Sequence, residues 1–230
     1  MTALVLSAGG MWTAWQVGAW RVLRGRIQTD IIVGASGGAW NGLAMAGGAT
    51  PEDLVGEWMH ESMRDVMRVR PHRMYEKAQE LCRRYPHRAP FALTMVELPA
   101  MRCRIVRETE ITWQHLAASG SIPLVFPPVA IEGRRYLDGG LRGGLPLWAA
   151  EELGATRAIA LNVLSTPLFR ALRAATRAKQ ASSALEVIRI EPSERLGSLR
   201  DAVDWNPKNV ARWIALGERD ALSALSSVRM

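Results

Sequence analysis

A chain of 230 residues with 48% hydrophobic and 22% charged residues has the size and composition of one globular domain, which excludes a disordered or fibrous protein. Its net charge of +7 suits an anionic membrane surface or plain solubility, whereas a nucleic-acid partner would call for a binding module that the sequence lacks. No apolar run approaches the roughly 18 residues of a membrane span, no basic region precedes the first apolar stretch, and Cys82 and Cys103 are too few for a disulfide framework, so a reduced, cytoplasmic setting is expected.

In chain order, residues 2–7 read as a short buried strand, 14–24 as a helix, Asp30 to Val33 as a second strand, and 38–46 as a helix of small residues. Strand–helix–strand–helix within 50 residues points to an α/β domain with a largely parallel sheet. Thr50-Pro51-Glu52-Asp53 is a helix start, with a capping hydroxyl, Pro at the first helical position and acids at the positive end of the dipole. From Arg64 to Arg88 eight Lys or Arg stand against three acids, in what reads as a helical insertion. Strands are expected at 91–97 and 101–107, a helix at 112–119, and a hairpin of 129–131 with 135–137 around Glu132-Gly133-Arg134. A helix at 146–153, a strand at 157–163, a basic helix at 168–180, a strand at 185–190 and a terminal helix at 207–226 complete the chain.

Chemistry concentrates first at Gly34-Ala35-Ser36-Gly37-Gly38, a G-x-S-x-G pentapeptide directly after an apolar strand and directly before a helix. A sharp strand-to-helix turn exposes the Ser oxygen, and the flanking glycines Gly34 and Gly38 relieve backbone crowding. The helix start behind Ser36 adds N–H groups for negative charge. A Ser-acid-His triad does not fit. His60, His72, His87 and His115 all precede Asp138, and the last 115 residues hold no histidine. A dinucleotide site does not fit either, because the glycines at 9, 10 and 18 miss the G-x-G-x-x-G pattern. The other candidate is Asp138-Gly139-Gly140, which ends a hairpin strand and reads either as a carboxylate at a strand edge or as a simple Asp-Gly turn.

Three blocks together resemble the patatin-like phospholipase family. The first is Leu4-Val5-Leu6-Ser7-Ala8-Gly9-Gly10 continuing to Gly18, the second is Gly34 to Gly38, and the third runs from Ala118-Ser119-Gly120 through Phe126-Pro127-Pro128 to Asp138-Gly139-Gly140. The resemblance implies a three-layer α/β/α fold with a mostly parallel central sheet, and one catalytic domain over 1–230 with a basic, lid-like helical insertion at about 55–90. It implies a Ser36–Asp138 dyad, an oxyanion hole from backbone N–H groups around Gly9, Gly10 and Met11, and hydrolysis of lipid carboxylic esters, phospholipids among them, without metal or cofactor. The chain departs from the family's glycine-rich loop at Ala8, Trp12 and Thr13, where the family has Gly, a basic residue and Gly. Trp12 is then either a wall of the acyl pocket or a packing residue, and the altered loop leaves a catalytically impaired acyl- or lipid-binding protein as the alternative. The basic insertion and the basic helix 168–180 suit either solvated faces or peripheral contact with an anionic membrane, with Trp58 and Met59 expected to face the lipid in the second case.

Overall fold

Apolar runs with no polar alternation mark strands covered on both faces, and four of them build the centre of the sheet. The computed structural model describes residues 1–67, 70–165 and 179–227. Strands β1 (Thr2–Leu6), β2 (Ile31–Ala35), β3 (Phe91–Leu98), β4 (Arg102–Arg107), β5 (Val129–Ile131), β6 (Arg134–Asp138), β7 (Arg157–Leu161) and β8 (Glu186–Ile190) form one sheet. Its order is β5-β6-β3-β2-β1-β7-β8, with β4 also paired to β3. The pairs β1–β2, β1–β7, β2–β3 and β7–β8 are parallel, and β4, β5 and β6 run antiparallel to their partners.

The connecting helices are α1 (Ala14–Leu23), α2 (Gly37–Ala46), α3 (Pro51–Met59), α4 (Ser62–Met67), α5 (Pro71–Arg84), α6 (Trp113–Ser119), α7 (Gly140–Gly143), α8 (Leu147–Glu152) and α9 (Pro207–Ser227). A 3-10 turn over Gly10–Thr13 leads into α1. One face of the sheet carries the larger core, with Leu4, Leu6, Trp15, Leu93 and Trp213, and the other a smaller one with Ala3, Val5, Val33 and Trp148. This is the expected α/β architecture of a mostly parallel sheet between helices. No helix among the described residues is long and apolar enough to cross a membrane.

Most expected elements lie within two residues of their observed ends. Thr50 caps α3 as its sequence implies, with its hydroxyl accepting the Asp53 N–H at 3.1 Å while Asp53 accepts the Thr50 N–H at 2.8 Å. The basic segment is indeed helical, in two pieces, α4 and α5. The basic helix expected at 168–180 falls, but for its last two residues, outside the described part.

The segment is less solvated than its charge suggests. Met63, Val66, Met74 and Leu81 are buried, and so is Lys77, whose ammonium meets Glu57 at 2.6 Å and Glu80 at 3.1 Å. Glu57 also accepts Arg84 at 2.8 Å and the Tyr85 hydroxyl at 3.3 Å. Burial, reinforced by the Glu57 carboxylate, pushes the Tyr85 phenol up to about 12, so it remains a neutral donor to that cluster.

Candidate active site

The register of β3 brings the two candidate residues together. Strand β4 occupies one edge of β3 along residues 92–97. On the other edge β2 pairs with the first half, ending at Ala35 opposite Thr94, and β6 pairs with the second half, with Asp138 opposite Met95. The strands run in opposite directions, so their C-terminal ends abut at Thr94 and Met95. Ser36, one residue past β2, therefore meets Asp138, the last residue of β6, across 102 positions of sequence. The Ser36 hydroxyl donates to Asp138 Oδ2 at 2.5 Å, and both residues are buried.

Ser36 has φ 56° and ψ −130°, outside the regions that a side chain ordinarily adopts. Such strain is held where surrounding contacts over-determine it. The turn has no spare room, since a Cβ at Gly34 would come within 2.5 Å of the Gly38 carbonyl oxygen, and a Cβ at Gly38 within 2.5 Å of that of Ser7. The Ser36 N–H donates to Ser119 Oγ at 3.0 Å, and the Ser119 hydroxyl donates in turn to the Thr94 carbonyl at 2.8 Å. Ser119 thus ties the turn to the middle of β3. Sequence reasoning quoted Ser119 within a motif and gave it no role, because its partners are 83 and 25 residues away.

Asp138 Oδ1 accepts the Gly140 N–H at 2.6 Å. Burial pushes the Asp138 carboxyl up from its ordinary 3.8 to about 7, against the bonds from Ser36 and Gly140, which favour the anion. A carboxyl titrating near neutrality is matched to proton transfer at physiological pH. None of the four histidines takes part. His60 bonds to Ser62, His115 caps α6 through the Thr112 N–H, and His72 and His87 are exposed. Among the described residues no group of three or more His, Cys, Asp or Glu side chains is arranged to hold a metal ion.

The loop after β1 lies beside Ser36. Gly10 has φ +55°, and a Cβ there would come within 2.1 Å of the Ala202 carbonyl oxygen. Among the described residues the N–H groups of Gly9 and Gly10 meet no protein acceptor. Met11 differs from expectation: its N–H donates to that same Ala202 carbonyl at 2.8 Å, so it is engaged in holding the loop rather than free to receive an oxyanion. Thr13, a departure from the family pattern, closes the loop by donating its hydroxyl to the Gly10 carbonyl at 2.6 Å. Trp12 is buried in the larger core and is not a wall of the cavity at Ser36, which favours its packing role. Gly37 occupies the first helical position of α2, where an N–H has no intrahelical acceptor.

A narrow cavity of about 40 Å³ opens at Ser36 and Gly37, with Met11, Trp40, Met63 and Phe126 among its apolar walls. Trp58 is another wall. It is buried, with its indole N–H donating to Asn41 Oδ1 at 2.7 Å, which corrects the expectation that it faces lipid. An apolar helix face is needed both for a lipid contact and for a core, and here the core takes it.

A model of the patatin-like phospholipase family matches residues 4–98 and 104–151. VipD from Legionella pneumophila is similar over 98% of this chain and 67% of that one, at 13% identity and a TM-score of 0.58. The type III effector protein ExoU is similar over 98% of this chain and 52% of that one, at 12% identity and a TM-score of 0.46. At 13% identity the likeness to VipD bears on the fold alone. No curated protein matches the chain in sequence.

Proposed function

Because the chain belongs to the patatin-like phospholipase family, we propose that it is a lipolytic serine acyl hydrolase that cleaves carboxylic esters of lipids through a Ser36–Asp138 dyad. The observation that carries this reading is the 2.5 Å bond between Ser36 Oγ and Asp138 Oδ2 at the mouth of an apolar cavity. Ionised Asp138 accepts the Ser36 proton as Oγ attacks the ester carbonyl carbon. The Gly9 and Gly10 N–H groups, joined by that of Gly37, are the donors assigned to the oxyanion, and such a donor lowers the barrier by roughly 2.7–4 kcal/mol. The tetrahedral intermediate expels the alkoxide, which takes the proton back from Asp138. Water then attacks the acyl-Ser36 ester while Asp138 accepts its proton, the free acid leaves, and the proton returns to Ser36 Oγ.

The departures in the loop, with the Met11 N–H engaged by Ala202, favour the second reading, a catalytically impaired acyl- or lipid-binding protein on the same fold. One experiment separates the two. A serine-directed fluorophosphonate should add once to the intact protein, at Ser36, and Ser36→Ala and Asp138→Asn should each abolish both labelling and ester hydrolysis while remaining folded. An unlabelled wild-type protein that still binds fatty acid would establish the binding protein instead. The proposal extends to peripheral contact with anionic lipid through the basic segment 64–88, which would act as a cover over the cavity.

A further inference from the structure

Two small cavities lie end to end behind Ser36. The first is the one of about 40 Å³ that opens at the nucleophile. The second, of about 20 Å³, is lined by Asn41, Leu54, Glu57 and Lys77 among others. Trp40, Trp58 and Met63 are walls of both, so these three side chains form the partition between them.

Trp58 is the most firmly held of the three. Its indole N–H is bonded to Asn41, and its carbonyl accepts the Trp205 indole N–H at 2.9 Å. Asn41 is itself fixed, donating to the Thr13 carbonyl at 2.9 Å and to Gln16 Oε1 at 3.0 Å. The partition is thereby tied to the same turn that carries the oxyanion loop. Beyond it the second cavity ends on the buried Glu57–Lys77 pair, a poor neighbour for a hydrocarbon tail.

We propose that Trp58 is the end wall of the acyl site and limits how far an acyl chain enters behind Ser36. This rests on the serine hydrolase reading given above. The acyl chain of a bound ester enters the first, apolar cavity from Ser36, and a short chain stops before the partition. A longer chain meets the indole. The limit thus comes from inside the pocket, from the end of α3, with Met63 of α4 and Trp40 completing the partition.

The test is the kcat/KM of wild type, Trp58→Ala and Trp58→Phe on 4-nitrophenyl esters from acetate to palmitate. Wild type sets the reference octanoate-to-butyrate ratio. Trp58→Ala joins the two cavities and should raise the octanoate-to-butyrate ratio by about tenfold or more, since a single methylene in an apolar pocket changes kcat/KM by roughly 10–200-fold. Trp58→Phe keeps a ring in place without the N–H and should keep the wild-type ratio, which separates the wall from the bond to Asn41. A folded Trp58→Ala with the wild-type profile overturns the proposal while leaving the hydrolase reading intact. Should Trp58→Ala not fold, Met63→Ala thins the same partition from α4 and should move the ratio in the same direction; an unmoved ratio there overturns the proposal equally. If wild type cleaves no ester and Ser36 takes no fluorophosphonate, the hydrolase reading itself fails, and the acyl-site proposal falls with it.

Discussion

Replacing Asp138 by Asn should destroy activity and, above neutrality, stabilise the protein. The folded state holds the Asp138 carboxyl near 7 rather than 3.8. At 1.36 kcal/mol per pH unit, that displacement corresponds to about 4 kcal/mol. Its sign follows from proton binding. Between pH 4 and 7 the unfolded chain has lost this proton while the folded protein keeps it, so the group's contribution to stability falls as pH rises. Below pH 4 both states are protonated and the contribution is absent; above pH 7 both are ionised and the loss is complete. Asparagine has no proton to lose. The melting temperature of Asp138→Asn relative to wild type should therefore climb between pH 4.5 and 8, by up to about 8–16 °C at 2–4 °C per kcal/mol for a chain of this size. Paired thermal melts at four or five pH values are sufficient. The same carboxyl sets the acidic limb of wild-type kcat/KM, which should rise with pH and level off above about 7. A melting difference that stays constant from pH 4.5 to 8 would refute the reasoning, because the carboxyl would then titrate alike in both states.

Three further outcomes are expected. Ser119→Ala removes the acceptor of the Ser36 N–H and the donor to Thr94; it should cost about 1–3 kcal/mol of stability in a melt and slow ester hydrolysis by up to about 10²-fold, as misplaced reacting groups do. Glu57→Ala strands the buried Lys77 ammonium, leaving it Glu80, and should destabilise by about 3 kcal/mol in urea titration, at the low end for breaking a buried pair. Binding to vesicles containing phosphatidylserine should weaken from low to moderate salt, and Arg70→Ala and Arg73→Ala, both at exposed positions of the basic segment, should each weaken it about fivefold at ~1 kcal/mol per charge; co-sedimentation insensitive to both would make the positive charge a solvated face.

Local information was enough for several parts of this protein. The Gly34–Gly38 turn needs only a strand before it, a helix behind it and glycines where the backbone crowds, all of which lie within a dozen residues. The α3 cap, the hairpin at Glu132-Gly133 and the buried strands β1 and β2 are legible for the same reason: turn chemistry and hydrophobic runs act between near neighbours. The pairing of Ser36 with Asp138 was implied by family resemblance, but no spacing rule yields it. It depends on β2 and β6 abutting on one edge of β3, a register set by how three strands from distant parts of the chain bury their side chains. Ser119 and Ala202 escaped notice because a hydroxyl or a carbonyl has the same sequence signature whether it faces water or holds an active-site loop. Trp58 and Lys77 went the other way. Their sequence neighbourhood suits a lipid-facing, solvated helix, and only the docking of α3 against its neighbours decided that the indole closes a cavity, held by Asn41 of α2, and that the ammonium on α5 meets Glu57. Burial is a property of what arrives on the far side of a residue, and that is settled when the elements dock.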